Sequence, residues 1–598
     1  MFYLLEVRRA FVIIYRKAFP EADLKKLLRS WRLLSPRKIL FFPHILKSSE
    51  KRLFLLGLAL VLLSGVTLLG RIYVKNTVVR PDTGETHIEG MLREPRSINP
   101  LFATTDGDRD ISRLIFSRLL TYNGEGDIDL DLAESYEISK DGKTYTVYMR
   151  RDALFHDGEK VDADDVVFTV KAIQNPLYKS PLRANWQGVE VAKVDDYTVR
   201  FSLRSSYAPF IENLSVDVLP KHLWAQISPD QAPLHEQNLK PIGSGPYYFS
   251  RIKQAKDGSI TSFELKRNSS YYRGGPYLER INFVFFDSED DMLVAWQKGN
   301  IDGFGSFPVF KTKDIRSGSQ ILPIAMPRIF GLFFNAKENP VLGDIKVRQA
   351  IASAVNKKGI AAAVPSSGAI AIDSVLPLRS LGFASNTTVH QFDPEKSRQL
   401  LESAGWKDTD GDGIREKKVT AKGKTNITPL SFVLTTSDWP DLLNTAALIE
   451  KALREVGIEV IVEKKALSDL ESTVIRPRKF EIMLFGQVYG YEPDPFAFWH
   501  SSQVKDPGLN VALYANKSAD RILEDARHLP DPQARAAKYE ELQKIITRDI
   551  PAVFLYSQVY LYAISDDLRG VDIKKISLPA DRFNEAHEWY KDTKRVWK

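Results

Sequence analysis

The sequence predicts an α/β fold with mixed sheets, set behind one membrane-spanning helix. Helix and strand patterns alternate irregularly with frequent turn signals, which argues for mixed sheets rather than a barrel. At 598 residues and 67.8 kDa the chain is too long for a single core, so two or more domains are expected. A hydrophobic content of 43% and an aromatic content of 11% describe a globular chain, not a disordered one.

Taken in chain order, the first element is basic. Residues 1–52 hold 13 Lys/Arg against 4 Asp/Glu, a net +9; the whole chain carries +7, which leaves −2 for residues 53–598. The large part therefore lacks the basic field that nucleic acid selects, and nucleic acid is not an expected partner. The opening run MFYLLEVRRAFVIIYRKAF mixes apolar and basic residues as a segment lying on an anionic membrane surface would. Leu53 to Gly70 are 18 residues without a charge, and counting on through Val74 gives 22, with Arg71 near enough to the end to snorkel. By the positive-inside rule, residues 1–52 lie in the cytoplasm, 53–74 form a transmembrane anchor and the remainder lies outside. No small-x-small cleavage site stands near Gly65 or Gly70, which favours a retained anchor over a cleaved signal peptide. Residues 75–87 read as a polar linker. With no cysteine in the chain, disulfides, thiolate metal sites, a Cys nucleophile and a lipid-modified cysteine are excluded.

The stretch FHDGEKVDADDVVFTVKAI gathers one histidine and five acids between His156 and Asp165. Asp141-Gly142 reads as a turn, followed by a strand with Tyr145, Val147 and Met149 on one face, closed by Asp157-Gly158. Asp162 suits a helix N-cap, with Asp164 and Asp165 in the first turn, where the helix dipole favours anions. Val166, Val167, Val170 and Ile173 supply the buried stripe. These acids thus cap and turn rather than ligate. His156 has no histidine nearby, the closest pair being His222 and His235, thirteen residues apart, so a histidine-rich metal site is not supported.

Further on, Asp393-Pro394 places an N-cap before a proline at the first helical position, and Gly405 can end that helix in the left-handed region. LIEKALREVGIEVIVEK reads as an amphipathic helix ending at Gly457, then a strand through Ile458, Val460 and Val462. DTDGDG, Asp408 to Gly413, matches the first half of a calcium loop through Asp408, Asp410 and Asp412. Position 12 is Val419, however, where a bidentate Glu is needed. GKT at 423–425 lacks the first glycine of a phosphate loop, and neither H-E-x-x-H nor G-x-S-x-G occurs. No catalytic residue, metal or cofactor is expected.

The run DLAESYEISKDGKTYTVYMRRDALFHDGEKVDADDVVFTVKAI resembles the signature region of the family 5 extracellular solute-binding proteins, the oligopeptide- and dipeptide-binding components of ABC importers. REPRSINPLF (93–102), PIGSGPYYF (241–249), LKRNSSYYRGGPYLERINFVFF (265–286), WQKGNIDGFG (296–305), DIKVRQAIASAVNKKGI (344–360), DPEKSRQLLESAGWKDTDGDGIREKK (393–418) and YEELQKIITRDIPAVFLY (539–556) follow in the family's order. The likeness covers about residues 88–590. It implies a two-lobed, periplasmic-binding-protein-like clamp with an extra domain. The first lobe spans 88–326 with an inserted subdomain about 106–239, the second 327–551, and 552–598 return to the first. It also implies a monomeric periplasmic binder that captures an oligopeptide or peptide-like solute and delivers it to an ABC transporter permease; the apolar run 53–74, in place of the free diffusion or lipid anchor of relatives, would hold it at the inner membrane.

Two segments align with the family's ligand-lining parts. One is FATTDGD, with Thr104, Thr105 and Asp106. The other is FGQVYGYEPDPFAFW, with Gly486, Gln487, Val488, Tyr489 and Tyr491. In the family's peptide binders an Asp of this second segment holds the ligand's amine. That position falls here at Tyr489 or Gly490, neither acidic, while Glu492 and Asp494 stand in the EPDP turn. The departure shifts the expectation towards a blocked or modified peptide, a sugar or another small polar ligand. Two other readings stay open: a sensor signalling through the anchor to residues 1–52, and a binder of a non-peptide solute.

Overall fold

The computed structural model describes residues 47–307, 309–364, 368–384, 390–421 and 424–598. Most of the basic segment expected over 1–52 lies outside the described residues. The chain divides into two compact units, one comprising the residues up to Arg80 with Thr593–Lys598, the other Pro81–Asp592.

In the first unit a helix runs from Ser48 to Asn76, and its apolar side chains from Leu53 to Val74 are largely exposed. Its Lys51–Asn76 portion, 26 residues, is long and apolar enough to cross a membrane. At 1.5 Å per residue it extends about 39 Å, against roughly 30 Å of bilayer hydrocarbon. The helix gives way to a strand, Thr77–Pro81, paired with the terminal strand Thr593–Trp597. Strand structure thus begins inside the stretch expected as a linker, because Thr77, Val78 and Val79 are β-branched and find a ladder partner at the far end of the chain.

The second unit is organised by one large mixed sheet. Its ten principal strands are β1 (Gly84–Leu92), β2 (Tyr247–Gln254), β3 (Ile260–Arg267), β4 (Leu278–Phe286), β5 (Gly303–Gly305), β6 (Ser319–Phe334), β7 (Ser431–Ser437), β8 (Glu459–Lys465), β9 (Ile482–Val488) and β10 (Ala552–Ser565). Their order is β8-β7-β9-β6-β10-β5-β1-β4-β3-β2. β1 runs parallel to β4 and β5, and β7 parallel to β8 and β9, whereas β6 and β10 are antiparallel. The mixed sheet is the one the irregular alternation predicts.

β6 and β10 are the two long strands, and they join two halves of the sheet. Ser319–Ala325 pairs with Val559–Ser565, Ile329–Phe333 pairs with Ala552–Ser557, and the register breaks between. The apolar cores divide at the same place. Two clusters draw on residues up to Met326 and again from Val559 to Trp589. The other two draw on residues from Ile329 to Tyr556. Between β1 and β2 the chain inserts a four-stranded antiparallel sheet of Ala133–Ile138, Thr144–Met149, Val189–Asp195 and Thr198–Leu203, with the helix Ala163–Gln174.

The acid-rich stretch adopts the capping role read from its spacing. Asp162 is the N-cap and accepts the Asp164 N–H at 2.8 Å, while Asp165 accepts the Asp162 N–H at 3.0 Å. Tyr145, Val147 and Met149 alternate into the core. His156 Nδ1 accepts the Gly243 N–H at 3.2 Å and Nε2 donates to the Gly245 carbonyl at 3.1 Å, so the histidine pins the glycine crossover. Burial lowers its pKa to about 4, which keeps the ring neutral.

Candidate functional site

A cavity of about 770 Å³ opens between the two sets of cores. One wall comes from the helix Asp106–Ile115 and the loop before it, through Pro100, Ala103, Arg109, Ser112 and Arg113. A second comes from the inserted region through Trp186, Tyr207 and Glu212. The facing wall is the end of β9 and the loop beyond it, Val488 to Phe498. The volume falls within the 300–1,000 Å³ usual for small-molecule sites.

The wall helix is held by buried charge. Arg582 pairs with Glu89 of β1 at 2.9 Å and with Asp110 of the helix at 2.6 Å. Tyr562 of β10 donates to Glu89 at 2.9 Å. Burial pushes the Asp110 carboxyl up to about 6, against the pull of Arg582. One turn on, Arg113 pairs with Asp581 at 2.9 Å and lies 3.8 Å from Asp217, which Arg118 holds at 2.9 Å. The returning C-terminal chain thus fixes the helix that faces the cavity.

The residues expected from sequence fall in different surroundings. Thr105 is the N-cap of the wall helix: its hydroxyl accepts the Asp108 N–H at 3.1 Å, and Asp108 accepts the N–H groups of Thr105 and Thr104 at 3.1 and 3.3 Å. Asp106 is exposed, 3.8 Å from Arg109. These three stand beside the cavity without lining it. In the second segment Val488 and Tyr489 line it, as does Gly490, while Gly486, Gln487 and Tyr491 do not. An added Cβ at Gly486 would crowd the Phe330 ring at 2.8 Å. The buried Gln487 amide nitrogen has no hydrogen-bond partner among the described residues. Tyr489 is fixed through its hydroxyl, which donates to the Val375 carbonyl at 3.0 Å, and burial raises its phenol. Tyr491 is buried and stacks on Tyr122, with centroids 3.9 Å apart and planes at 7°.

Glu492 and Asp494 both line the cavity and both are neutralised: Glu492 by Arg535 at 2.6 Å, Asp494 by Arg527 at 3.1 and 3.2 Å. Glu212 was not legible in the sequence. It sits in a 3-10 segment, Ala208–Ser215, with nothing local to mark it. Its carboxylate crosses to the facing wall and accepts the N–H of Tyr491 at 3.1 Å and that of Glu492. Burial raises this carboxyl to about 7, with the charges of Glu492 and Asp581 adding to the rise. The calcium-like loop brings together Asp408, Asp410 and Glu416, their oxygens within 4.8 Å of one another; Asp412 instead accepts the Ile414 N–H at 2.7 Å.

A sheet in two halves, joined by two long strands and opening on a walled cavity, defines a two-lobed α/β binding protein. A model of the bacterial extracellular solute-binding proteins, family 5 Middle, matches residues 127–507. The oligopeptide-binding protein AppA of Bacillus subtilis is 31% identical over 508 residues, 83% of this chain and 90% of its own. The dipeptide-binding protein of Escherichia coli is 26% identical over 536 residues, 85% of this chain and 96% of its own. Among solved structures, Bacillus subtilis AppA in complex with a nonapeptide aligns with a TM-score of 0.62 at 29% identity, over 86% of this chain and 100% of that one. NikZ of Campylobacter jejuni in complex with Ni(L-His) gives 0.62 at 28%, over 85% and 99%. The chain belongs to the family 5 bacterial extracellular solute-binding proteins, as its motif order indicates.

Proposed function

We propose that this protein is a membrane-anchored binder on the outer face of a bacterial inner membrane. It captures an oligopeptide or peptide-like solute between its lobes and delivers it to an ABC transporter permease. The observation that carries the reading is the cavity of about 770 Å³, walled from both halves of the sheet. The relatives' names, oligopeptide- and dipeptide-binding, supply the solute class.

In this reading the first lobe is 88–326 with its insert at about 106–239, the second is 327–551, and the chain returns over 552–598. The hinge lies where β6 and β10 change register, Ala325–Ile329 and Ser557–Val559. Val488 and Tyr489 touch the ligand, and Thr104, Thr105 and Asp106 act indirectly, by starting the wall helix. Gly486, Gln487 and Tyr491 set the facing wall. Closure is favoured only by contacts that the open form lacks, and a micromolar ligand needs about −8 kcal/mol net.

Native mass spectrometry of the full chain, released gently from the membrane, tests the solute class. Heterogeneous added masses of several hundred daltons that fragment as peptides, and are lost on unfolding and refolding, are expected. A single non-peptide mass would sink the peptide assignment.

A further inference from the structure

Six carboxylate or guanidinium side chains line the cavity: Arg109, Arg113, Glu212, Asp217, Glu492 and Asp494. Five have an opposite charge within 4 Å, namely Arg109 with Asp106, Arg113 with Asp581 and Asp217, Asp217 with Arg118, Glu492 with Arg535 and Asp494 with Arg527. Glu212 alone has none among the described residues. Partly screened from water and with no cation beside it, a carboxylate in a ligand cavity either takes up a proton or pairs with a cation that the ligand brings.

The surroundings hold this carboxylate in place for such a cation. The N–H groups of Tyr491 and Glu492 take two of its roughly four acceptor sites, which leaves the others for a donor from the cavity. Gly490 makes the room, since a Cβ there would overlap both carboxylate oxygens. The groups that face it supply no competing cation at contact distance. Glu492 and Asp581 add negative charge, and Tyr122 and Tyr207 are phenols in its field, both raised by burial. Lys575, the nearby cation, feels the charges of Glu492 and Glu212 without pairing with Glu212 within 4 Å, and donates to the Tyr491 carbonyl at 3.2 Å; burial lowers its pKa.

We infer that Glu212 is the cation-binding group of the cavity and that the ligand presents it with a protonated amine. The inference rests on the solute-binding reading above and narrows it to amine-bearing ligands. It reverses the expectation of a blocked ligand drawn from Tyr489 and Gly490. The second segment lacks an acid because the acid reaches that place from the opposite lobe. Glu212 also titrates at about 7 in the empty cavity, so capture of the amine displaces its proton at lower pH.

The test uses the full chain in detergent and two libraries of random pentapeptides without Lys, Arg or His, identical except that one is N-acetylated. Retained peptides are counted by mass spectrometry. At pH 8 the free-amine library is expected to be retained at least tenfold better than the acetylated one. That advantage shrinks about tenfold at pH 6, where roughly nine-tenths of a group of pKa 7 is protonated. E212Q is expected to erase the advantage and E212D to keep part of it. Equal retention of the two libraries by the unsubstituted protein, or an advantage that survives in E212Q, overturns the inference while leaving peptide binding intact. Retention of neither library overturns the peptide reading and the amine site with it. The acetylation and pH arms need no variant, so a poorly folded E212Q cannot decide the result.

Discussion

Two backbone N–H groups favour the ionised form of the Glu212 carboxylate, while burial and the neighbouring Glu492 and Asp581 disfavour it. Burial wins, and the folded-state pKa stands at about 7 against an ordinary 4.5. The sign follows from linkage. Above pH 7 the native state carries a charge it would rather not hold, and below pH 4.5 the folded and unfolded chains are both protonated and nothing is gained. The shift corresponds to at most about 3 kcal/mol. E212Q keeps one acceptor for the backbone and removes the charge. The ligand-free full chain carrying E212Q is therefore expected to melt higher than the unsubstituted protein at pH 8, with the difference closing between pH 7 and pH 4.5. A melting midpoint lowered at pH 8 would mean the carboxylate stabilises the empty site. Gly490→Ala probes the same contact from the other wall. The group it would strike is the end of a flexible side chain, so the cost in stability is expected to stay under about 1 kcal/mol. Binding of free-amine peptides is expected to fall at least tenfold by calorimetry, because the displaced carboxylate leaves its N–H donors.

At the scale of elements, much was legible and the reason is locality. The helix Ala163–Gln174 announces itself by an N-cap, two first-turn acids and an apolar stripe, all within a dozen residues. Asp393-Pro394 and Gly405 bracket the helix Pro394–Ser403 in the same way, with Gly405 at φ +86°. The strand Thr77–Pro81 was not legible, since its pairing partner lies at the other end of the chain. Glu212 was missed for the same reason: 279 residues separate it from the N–H it caps at Tyr491. Two consequences of the local reading can be measured. Asp162→Ala removes a cap and is expected to cost about 1 kcal/mol in denaturant unfolding while leaving ligand affinity unchanged. Loss of affinity at unchanged stability would give these acids a role beyond capping. Gly243→Ala places a Cβ against the Ile115 carbonyl, a backbone group that cannot swing aside. It is expected to cost 1–3 kcal/mol or more, because the crossover must lift away from the helix that walls the cavity.

At the scale of the whole molecule, the cavity and the membrane-length helix belong to different units. The large sheet, its cores and the cavity are all built from Pro81–Asp592, and the membrane-length helix belongs to the other unit. If the helix anchors the chain as proposed, that division makes its contribution one of concentration rather than affinity. On the proposed reading, a short tether would hold its cargo near a permease at an effective concentration in roughly the millimolar range, without adding a contact to the ligand. A chain trimmed to residues 81–592 is then expected to bind the same peptides with dissociation constants within twofold of the full chain. Both ends need trimming: Thr593–Trp597 pairs with Thr77–Pro81, and left alone it would offer an unpaired edge for aggregation. Exported to the periplasm at matched expression, the trimmed protein is expected to leave the membrane fraction. It should also support peptide uptake at least tenfold less well than the full chain when external peptide is scarce. Raising its expression should restore uptake, since mass action replaces the tether. Full uptake at matched expression would mean that the helix does something other than concentrate the binder. Uptake that stays lost when the trimmed protein is abundant would place the anchor in the act of delivery itself.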